Sequence, residues 1–165
     1  MSHIRSKNTK PEVKLRKILF GLGYRYRINK KGLPGSPDIV LAKYHTCIFV
    51  NGCFWHGHKG CRYATRPKTN TEFWRTKIEN NRERDLRDYT FLESLGWRVI
   101  VVWECELKKD RLDATIASVK EQLDAHRDSW LAEQADRRKR REEWQAEIRR
   151  RKERAAELLP CGEKK

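Results

Sequence analysis

The sequence lacks a long apolar run, a secretory signal and an excess of negative charge. No stretch approaches the roughly 20 apolar residues that a membrane span needs, and the opening Met-Ser-His-Ile-Arg-Ser-Lys is polar and basic. The five cysteines are an odd number. We therefore expect a cytoplasmic protein, because in that reducing compartment clustered cysteines bind metal more often than they form disulfides.

Positive charge is what the chain has in excess. Its 165 residues suit one domain with an appendage, and they carry a formal net charge of +15. Residues 1–108 hold 22 Lys+Arg against 10 Asp+Glu, whereas residues 109–165 hold 16 against 13. The excess therefore lies on the part that looks folded, and its natural partner is an acidic polymer, nucleic acid first.

The apolar spacing predicts a mixed α/β class, with a central sheet of three to five strands flanked by helices. We expect a core domain over residues 1–108 and a helical, highly charged C-terminal extension over residues 109–165. From residue 136 to 154 the chain has ten Lys+Arg against five Asp+Glu, which is typical of a solvated helix. The predicted helices span 11–22, 71–95 and 113–134; the predicted strands span 38–41, 47–50 and 97–103, with a further candidate strand at 24–28.

The stretch Cys53-Phe-Trp-His-Gly-His58-Lys-Gly-Cys61 has the composition of a metal-binding loop. A distant cysteine, Cys105, follows a strongly apolar strand and can complete the site. Three thiolates and one imidazole suit a closed, tetrahedral, structural zinc site. The histidine ligand is His58, with His56 as the alternative.

The other two cysteines fit no such site. Cys47 lies inside an apolar strand, where a thiol behaves as a small buried hydrophobic group. Cys161 lies beyond Pro160 in a polar tail and looks incidental.

Asp38 stands where a Pro-Gly-Ser-Pro turn meets an apolar strand. A carboxylate at that junction is a hard oxygen ligand that suits Mg²⁺, which nucleases use to activate water beside a phosphate. The alternative is an ordinary turn residue.

Several motifs, in this order, resemble the very short patch repair (Vsr) endonucleases. They are Pro37-Asp38, Cys-Phe-Trp-His-x-His from residue 53, Thr71-Glu-Phe-Trp74, Asn81-Arg-Glu-Arg-Asp85, and Leu95-Gly-Trp-Arg-Val followed by Val-Trp-Glu-Cys105. The resemblance runs from about residue 7 to residue 107. It implies a variant of the restriction-endonuclease fold that nicks DNA beside a T:G mismatch.

The resemblance also implies roles for individual residues. Mg²⁺ would be held by Asp38 and the backbone carbonyl of Val50, with His56 catalytic and Glu12 supporting it. The zinc ligands would be Cys53, His58, Cys61 and Cys105, which leaves His56 free for chemistry. The aromatic residues that wedge into the duplex would be Phe54, Trp55 and Trp74, against the plain alternative of core packing.

The sequence departs from the family pattern at a few places. Asn51 stands where some members carry a further histidine, and Lys59-Gly60 lengthens the metal loop by one residue. Residues 108–165 match no family motif. The expected function is a Mg²⁺-dependent nicking endonuclease acting on double-stranded DNA at T:G mismatches, close to the nucleoid. The alternatives are a restriction-like or mobile-element nuclease acting on other DNA, and a non-catalytic zinc-stabilised DNA-binding module.

Overall fold

The computed structural model describes residues 8–28, 30–65 and 67–157. The chain divides into two compact units, which we call unit 1 (residues 1–127) and unit 2 (residues 128–165). None of the helices within the described ranges is both long and apolar enough to cross a membrane. The elements in chain order are α1 (Lys10–Gly21), β1 (Ile39–Leu41), β2 (Thr46–Asn51), α2 (Thr71–Ser94), β3 (Arg98–Trp103) and α3 (Leu112–Glu157), with 3-10 turns at Ala42–Tyr44 and Glu104–Leu107.

The sheet has three strands in the order β1-β2-β3. β1 and β2 form an antiparallel hairpin, with Ile39 opposite Ile48. β2 and β3 run parallel, with Asn51 opposite Trp103. Within the described residues, the candidate strand at 24–28 contributes one bridge, between Arg27 and Val40.

The central strand β2 is buried along its whole length, as its unbroken apolar run predicts. Successive side chains of a strand point to opposite faces, so Ile48 and Val50 join one core cluster and Cys47 and Phe49 join another. Side chains of α1 and of the start of α3 pack into the first cluster, and Leu92 of α2 packs into the second. The sheet of unit 1 is therefore covered by helices on both faces.

The start of α3 belongs to unit 1, which the predicted division at residue 108 does not anticipate. Val119 and Leu123 are almost completely buried in the first core cluster, so the compact unit extends to Arg127. α3 then continues without a break to Glu157, where the sequence had suggested one helix ending at Gln134 and a second segment after it. No glycine or proline between residues 112 and 157 interrupts it.

Candidate active site

Three separate segments meet at one edge of the sheet. Parallel strands end at the same edge, so the loop after β2 and the turn after β3 start side by side. Cys53 follows the last residue of β2 by two positions, and Cys105 follows the last residue of β3 by two. The antiparallel β1 begins at this edge, and Asp38 directly precedes it.

The four predicted metal ligands come together at this edge. The ligand atoms of Cys53, His58, Cys61 and Cys105 all lie within 4.8 Å of one another. Nδ1 of His58 lies 3.6 Å from the Cys53 Sγ and 3.4 Å from the Cys105 Sγ. A tetrahedral zinc site with ordinary bond lengths has sulfur–nitrogen edges of about 3.6 Å. The donor set and its spacing therefore fit a tetrahedral metal centre.

Neighbouring groups fix the ligands and set the protonation of the thiols. His58 stacks flat on Trp103, with ring centroids 4.1 Å apart. Burial raises the pKa of the Cys53 thiol to about 12 and also raises the pKa of Cys105. The backbone N–H of Tyr63 lowers the pKa of the Cys61 thiol. Because thiols bind metal as thiolates, metal binding here must release protons and must weaken at low pH.

His56, the other histidine of the loop, is held by Asp85 on α2. Its Nδ1 is hydrogen-bonded to Oδ2 of Asp85, which leaves Nε2 as the ring nitrogen available for chemistry. Burial opposes ionisation of Asp85, but the charges of His56 and the Arg84 guanidinium outweigh it and lower its pKa. Asp85 thus stays a carboxylate that orients the ring. The structure gives this contact to Asp85, whereas the resemblance had suggested Glu12 as the supporting acid.

Helix α2 holds the loop at two further points. Asn81 donates a hydrogen bond of 2.9 Å from Nδ2 to the carbonyl oxygen of Trp55. Gly57 has a φ of +60°, and a Cβ on it would lie 2.7 Å from Cγ2 of Ile78, so only glycine fits this approach. Ile78, Asn81 and Asp85 lie on one face of α2 because they are spaced by three and four residues.

Asp38 is fixed through both its side chain and its backbone. Its Oδ2 accepts a hydrogen bond of 2.7 Å from the backbone N–H of Val50. Arg16 donates from Nε and Nη2 to the Asp38 carbonyl oxygen, at 3.2 and 3.0 Å. Arg16 is in turn paired with Glu12 at 3.1 Å, with side chains only 10% and 5% exposed. Glu12 also accepts hydrogen bonds from the Asn8 N–H and the Thr9 hydroxyl, so it stabilises the arginine that positions Asp38.

The pKa of the Asp38 carboxyl is shifted towards neutral pH. Its pKa is raised to about 6, chiefly by burial and also by the Glu12 carboxylate, against the lowering effects of the Val50 N–H, Arg16 and His56. Glu12 and His56 are therefore both close enough to Asp38 for their charges to shift its pKa. A desolvated carboxylate of this kind gains most from a bound cation.

The three predicted intercalating residues form one exposed aromatic cluster. The ring centroid of Phe54 lies 5.1 Å from that of Trp55 and 5.3 Å from that of Trp74, and the two tryptophans are 5.9 Å apart. All three are partly exposed, and none belongs to either core cluster. Phe73, which is 60% exposed and 5.2 Å from Trp74, extends the cluster although the sequence had given it no role.

Comparison with known proteins decides the family. The family model "DNA mismatch endonuclease Vsr" matches residues 1–62. The type II nicking enzyme V.NmeAIP of Neisseria meningitidis serogroup A is 52% identical over 126 residues, which cover 73% of this chain and 89% of that protein. The DNA mismatch endonuclease Vsr of Escherichia coli K12 is 46% identical over 108 residues, covering 66% of this chain and 69% of that protein. The chain belongs to the Vsr family. It is a DNA endonuclease.

A solved structure supports the fold of this Vsr-family chain. The catalytic domain of the homing endonuclease I-Bth0305I matches with a TM-score of 0.50 and 21% identity, covering 72% of this chain and 98% of that one. The predicted mixed α/β endonuclease fold is thereby confirmed. The alternative of a non-catalytic DNA-binding module falls away, because the relatives are named as enzymes.

One polar pair lies at the end of β2. Asn51 donates a hydrogen bond of 2.9 Å from Nδ2 to the hydroxyl oxygen of Tyr89. Burial raises the pKa of Tyr89 to about 12, so its hydroxyl stays protonated. Asn51 is therefore a fixed amide that cannot take up or release a proton, and Tyr89 is a site residue that the sequence did not reveal.

Proposed function

We propose that this Vsr-family endonuclease nicks one strand of duplex DNA beside a T:G mismatch, with Mg²⁺ at Asp38 and zinc in the cysteine–histidine cluster. The observation that carries the proposal is the desolvated Asp38 carboxylate. It lies close enough to His56, which is paired with Asp85, for the charge of His56 to lower its pKa. Phe54 and Trp55 of the aromatic cluster lie on the same loop as His56. The protein would act in the cytoplasm, at the nucleoid.

Asp38 and the carbonyl oxygen of Val50 would hold the magnesium ion. When bound, Mg²⁺ supplies positive charge beside the scissile phosphate and increases the acidity of bound water. Nε2 of His56 would move a proton to or from the reacting oxygens, while Asp85 fixes the orientation of the ring. Glu12 acts through Arg16, which holds the Asp38 backbone in place.

The cysteine–histidine cluster would hold zinc in a structural role. Four protein ligands leave no open coordination position for a substrate. Such a site would join the loop after β2 to the turn after β3. His56 lies two residues from the ligand His58, so the site would also limit how far His56 can move.

The aromatic cluster supports recognition by deformability. Inserting a side chain between matched base pairs costs a few kcal/mol of unstacking free energy per step. A T:G wobble pair stacks poorly, so insertion beside it costs less. The partial exposure of Phe54, Trp55 and Trp74 supports a role for these side chains in such insertion. Discrimination would then arise from the ease of opening the step rather than from hydrogen bonds to base edges.

The test is a comparison of nicking rates on a T:G duplex and on its matched T:A parent, with Mg²⁺ present. We expect faster nicking of the T:G duplex, and we expect Trp55→Ala or Trp74→Ala to erase most of that preference. Trp144→Ala serves as the control, because this exposed tryptophan of unit 2 should not affect the ratio. Equal rates across a panel of flanking sequences would replace the repair proposal with a restriction-like nuclease acting on other DNA.

A further inference from the structure

The charged part of α3 is two-sided. At 100° per residue, the side chains between residues 136 and 154 separate into an arc of about 140° that contains no carboxylate and a remainder that contains all five. We call this arc the basic face. Its residues are Arg137, Arg138, Arg141, Trp144, Gln145, Ile148, Arg149 and Lys152.

The opposite side of the helix is neutralised by ion pairs. Arg140 contacts Asp136 at 2.9 Å, and Glu147 is contacted by Arg150 at 3.2 Å. Two arginines of the basic face are also paired: Arg137 with Glu133 at 2.6 Å and Arg138 with Glu142 at 2.9 Å. Within the described residues, Arg141, Arg149 and Lys152 have no carboxylate within 4 Å. The excess of ten Lys+Arg over five Asp+Glu in this segment is thus concentrated on one side.

The basic face also carries large apolar side chains. Trp144 is 65% exposed, four residues from Ile148 on the same side of the helix. Tryptophan beside arginine is typical of contact surfaces, where the ring supplies area and the guanidinium supplies charge. A helix that served only as a solvated spacer would not need its tryptophan, its isoleucine and its unpaired cations on one side.

We propose that the basic face of α3 binds the phosphate backbone of duplex DNA, as a contact separate from the nicking site. Charge complementarity selects the partner: the face offers cations, apolar groups and one glutamine amide but no carboxylate, and DNA is the acidic polymer on which this family acts. From Arg137 to Lys152 the helix rises about 22 Å, which matches six or seven base pairs of a duplex. Phosphate contacts add affinity without reading sequence.

Two matched quadruple variants of the full-length protein test the proposal. The first changes the basic face: Arg137→Gln, Arg141→Gln, Arg149→Gln and Lys152→Gln. The second removes the same charge from the opposite side: Lys139→Gln, Arg140→Gln, Arg150→Gln and Arg154→Gln. Both keep good helix formers, and circular dichroism checks that each helix persists. The probe is a fully matched duplex of about 30 base pairs, so the result does not depend on mismatch recognition.

We expect the basic-face variant to raise the Kd at least about tenfold at 0.1 M salt, and to flatten the slope of log Kd against log salt by about 0.9 per lost phosphate contact. The opposite-side variant should change the Kd by less than about twofold. Trp144→Ala should weaken binding while leaving the salt slope unchanged, because it removes no charge. Nicking of a short T:G duplex at low salt should persist in all three.

Three results would overturn the proposal. Equal weakening by both quadruple variants would mean that only net charge matters. Unchanged DNA binding with loss of self-association in sedimentation would make a second copy of this chain the occupant. Unchanged DNA binding with loss of binding to phosphatidylserine vesicles would make an anionic membrane the occupant.

Discussion

Units 1 and 2 are both basic, yet they use their charged residues in different ways. Unit 1 has 26 Lys+Arg against 14 Asp+Glu and buries two of these residues, Glu12 and Arg16, in a network that ends on Asp38. Unit 2 has 12 against 9, and none of its residues described from 128 to 156 is buried. In unit 1, buried charged side chains therefore hold individual atoms of Asp38 in position. In unit 2, exposed charged side chains act together as one side of the helix.

The strongest test of this contrast is loss of the Asp38 carboxylate. Asp38→Ala should reduce nicking to below detection, because the proposed magnesium ligand is gone. DNA binding should be retained or stronger, because a negative charge near the phosphates is removed. Plasmid nicking and a gel-shift assay measure the two effects. Nicking by the variant at the wild-type rate would show that another carboxylate holds the metal.

Loss of the metal cluster should have the next largest effect, and it should be confined to unit 1. Cys105→Ser should abolish metal binding and lower the Tm substantially, since metal binding and folding are linked. Elemental analysis should find one zinc per chain in the wild type. Cys47→Ser and Cys161→Ser are the controls: Cys47 is buried away from the cluster, and Cys161 lies outside the described residues. Active, folded wild-type protein without zinc would contradict the assignment.

The His56–Asp85 pair offers a graded test within unit 1. His56→Ala should slow nicking by roughly 10²–10⁴, the usual worth of a positioned acid–base group, without releasing metal. Asp85→Asn should cost less, because the imidazole remains but loses its orienting charge. Glu83→Gln, an exposed change on the same helix, should leave the rate unchanged. Release of zinc from His56→Ala would mean that the two histidines have exchanged roles.

The raised pKa of Asp38 predicts a pH-dependent stability. The pKa of Asp38 is about 6 in the folded protein against an ordinary value of 3.8 in the unfolded chain, so between these values only the folded state keeps the proton. Raising the pH through this window therefore destabilises the folded protein. Asp38→Asn removes this penalty, and without Mg²⁺ it should gain about 2–3 kcal/mol in relative stability between about pH 4 and pH 7.

Urea unfolding of wild type and Asp38→Asn at both pH values measures this effect. Added Mg²⁺ supplies the control, since a bound cation stabilises the wild-type carboxylate and should shrink the advantage of the variant. The same stability difference at both pH values would show that burial does not perturb Asp38 in solution.

Removal of most of unit 2 should have the smallest effect on the chemistry. Truncation after Gln134 should leave nicking of a short duplex largely intact, because every buried core residue that the structure describes precedes it. Binding of a short duplex at low salt should weaken modestly, whereas binding of a 30-base-pair duplex at 0.1 M salt should weaken at least about tenfold, because the truncation removes the whole basic face. Complete loss of nicking in a truncation that still folds would show that unit 2 completes the active site, and the contrast between the units would fail.

Much of unit 1 was predictable because its signals are local. The apolar run of β2 predicts a buried strand, and β2 is buried from Thr46 to Asn51. The long amphipathic pattern that begins at Thr71 predicts α2, which ends at Ser94, one residue before the expected end. The sidedness of α3 was also present in the spacing of Arg137, Arg141, Trp144 and Ile148. That spacing defines a face only because α3 is continuous, since side chains have fixed angular positions around an unbroken helix.

By itself, the sequence determined which residue types stand close together: the thiols and imidazoles of the metal loop, the aromatic pair beside them, and the turn that presents Asp38. Tertiary structure alone decided the partners. Asp85 lies 29 positions from His56, and Arg16 lies 22 positions from Asp38. The strength of a hydrogen bond is sensitive to changes of a few tenths of an ångström in the donor–acceptor distance and to the bond angle. Only the packing of α1 and α2 against the sheet brings these atoms within reach. The spacing of residues along a chain carries no such information about groups so far apart.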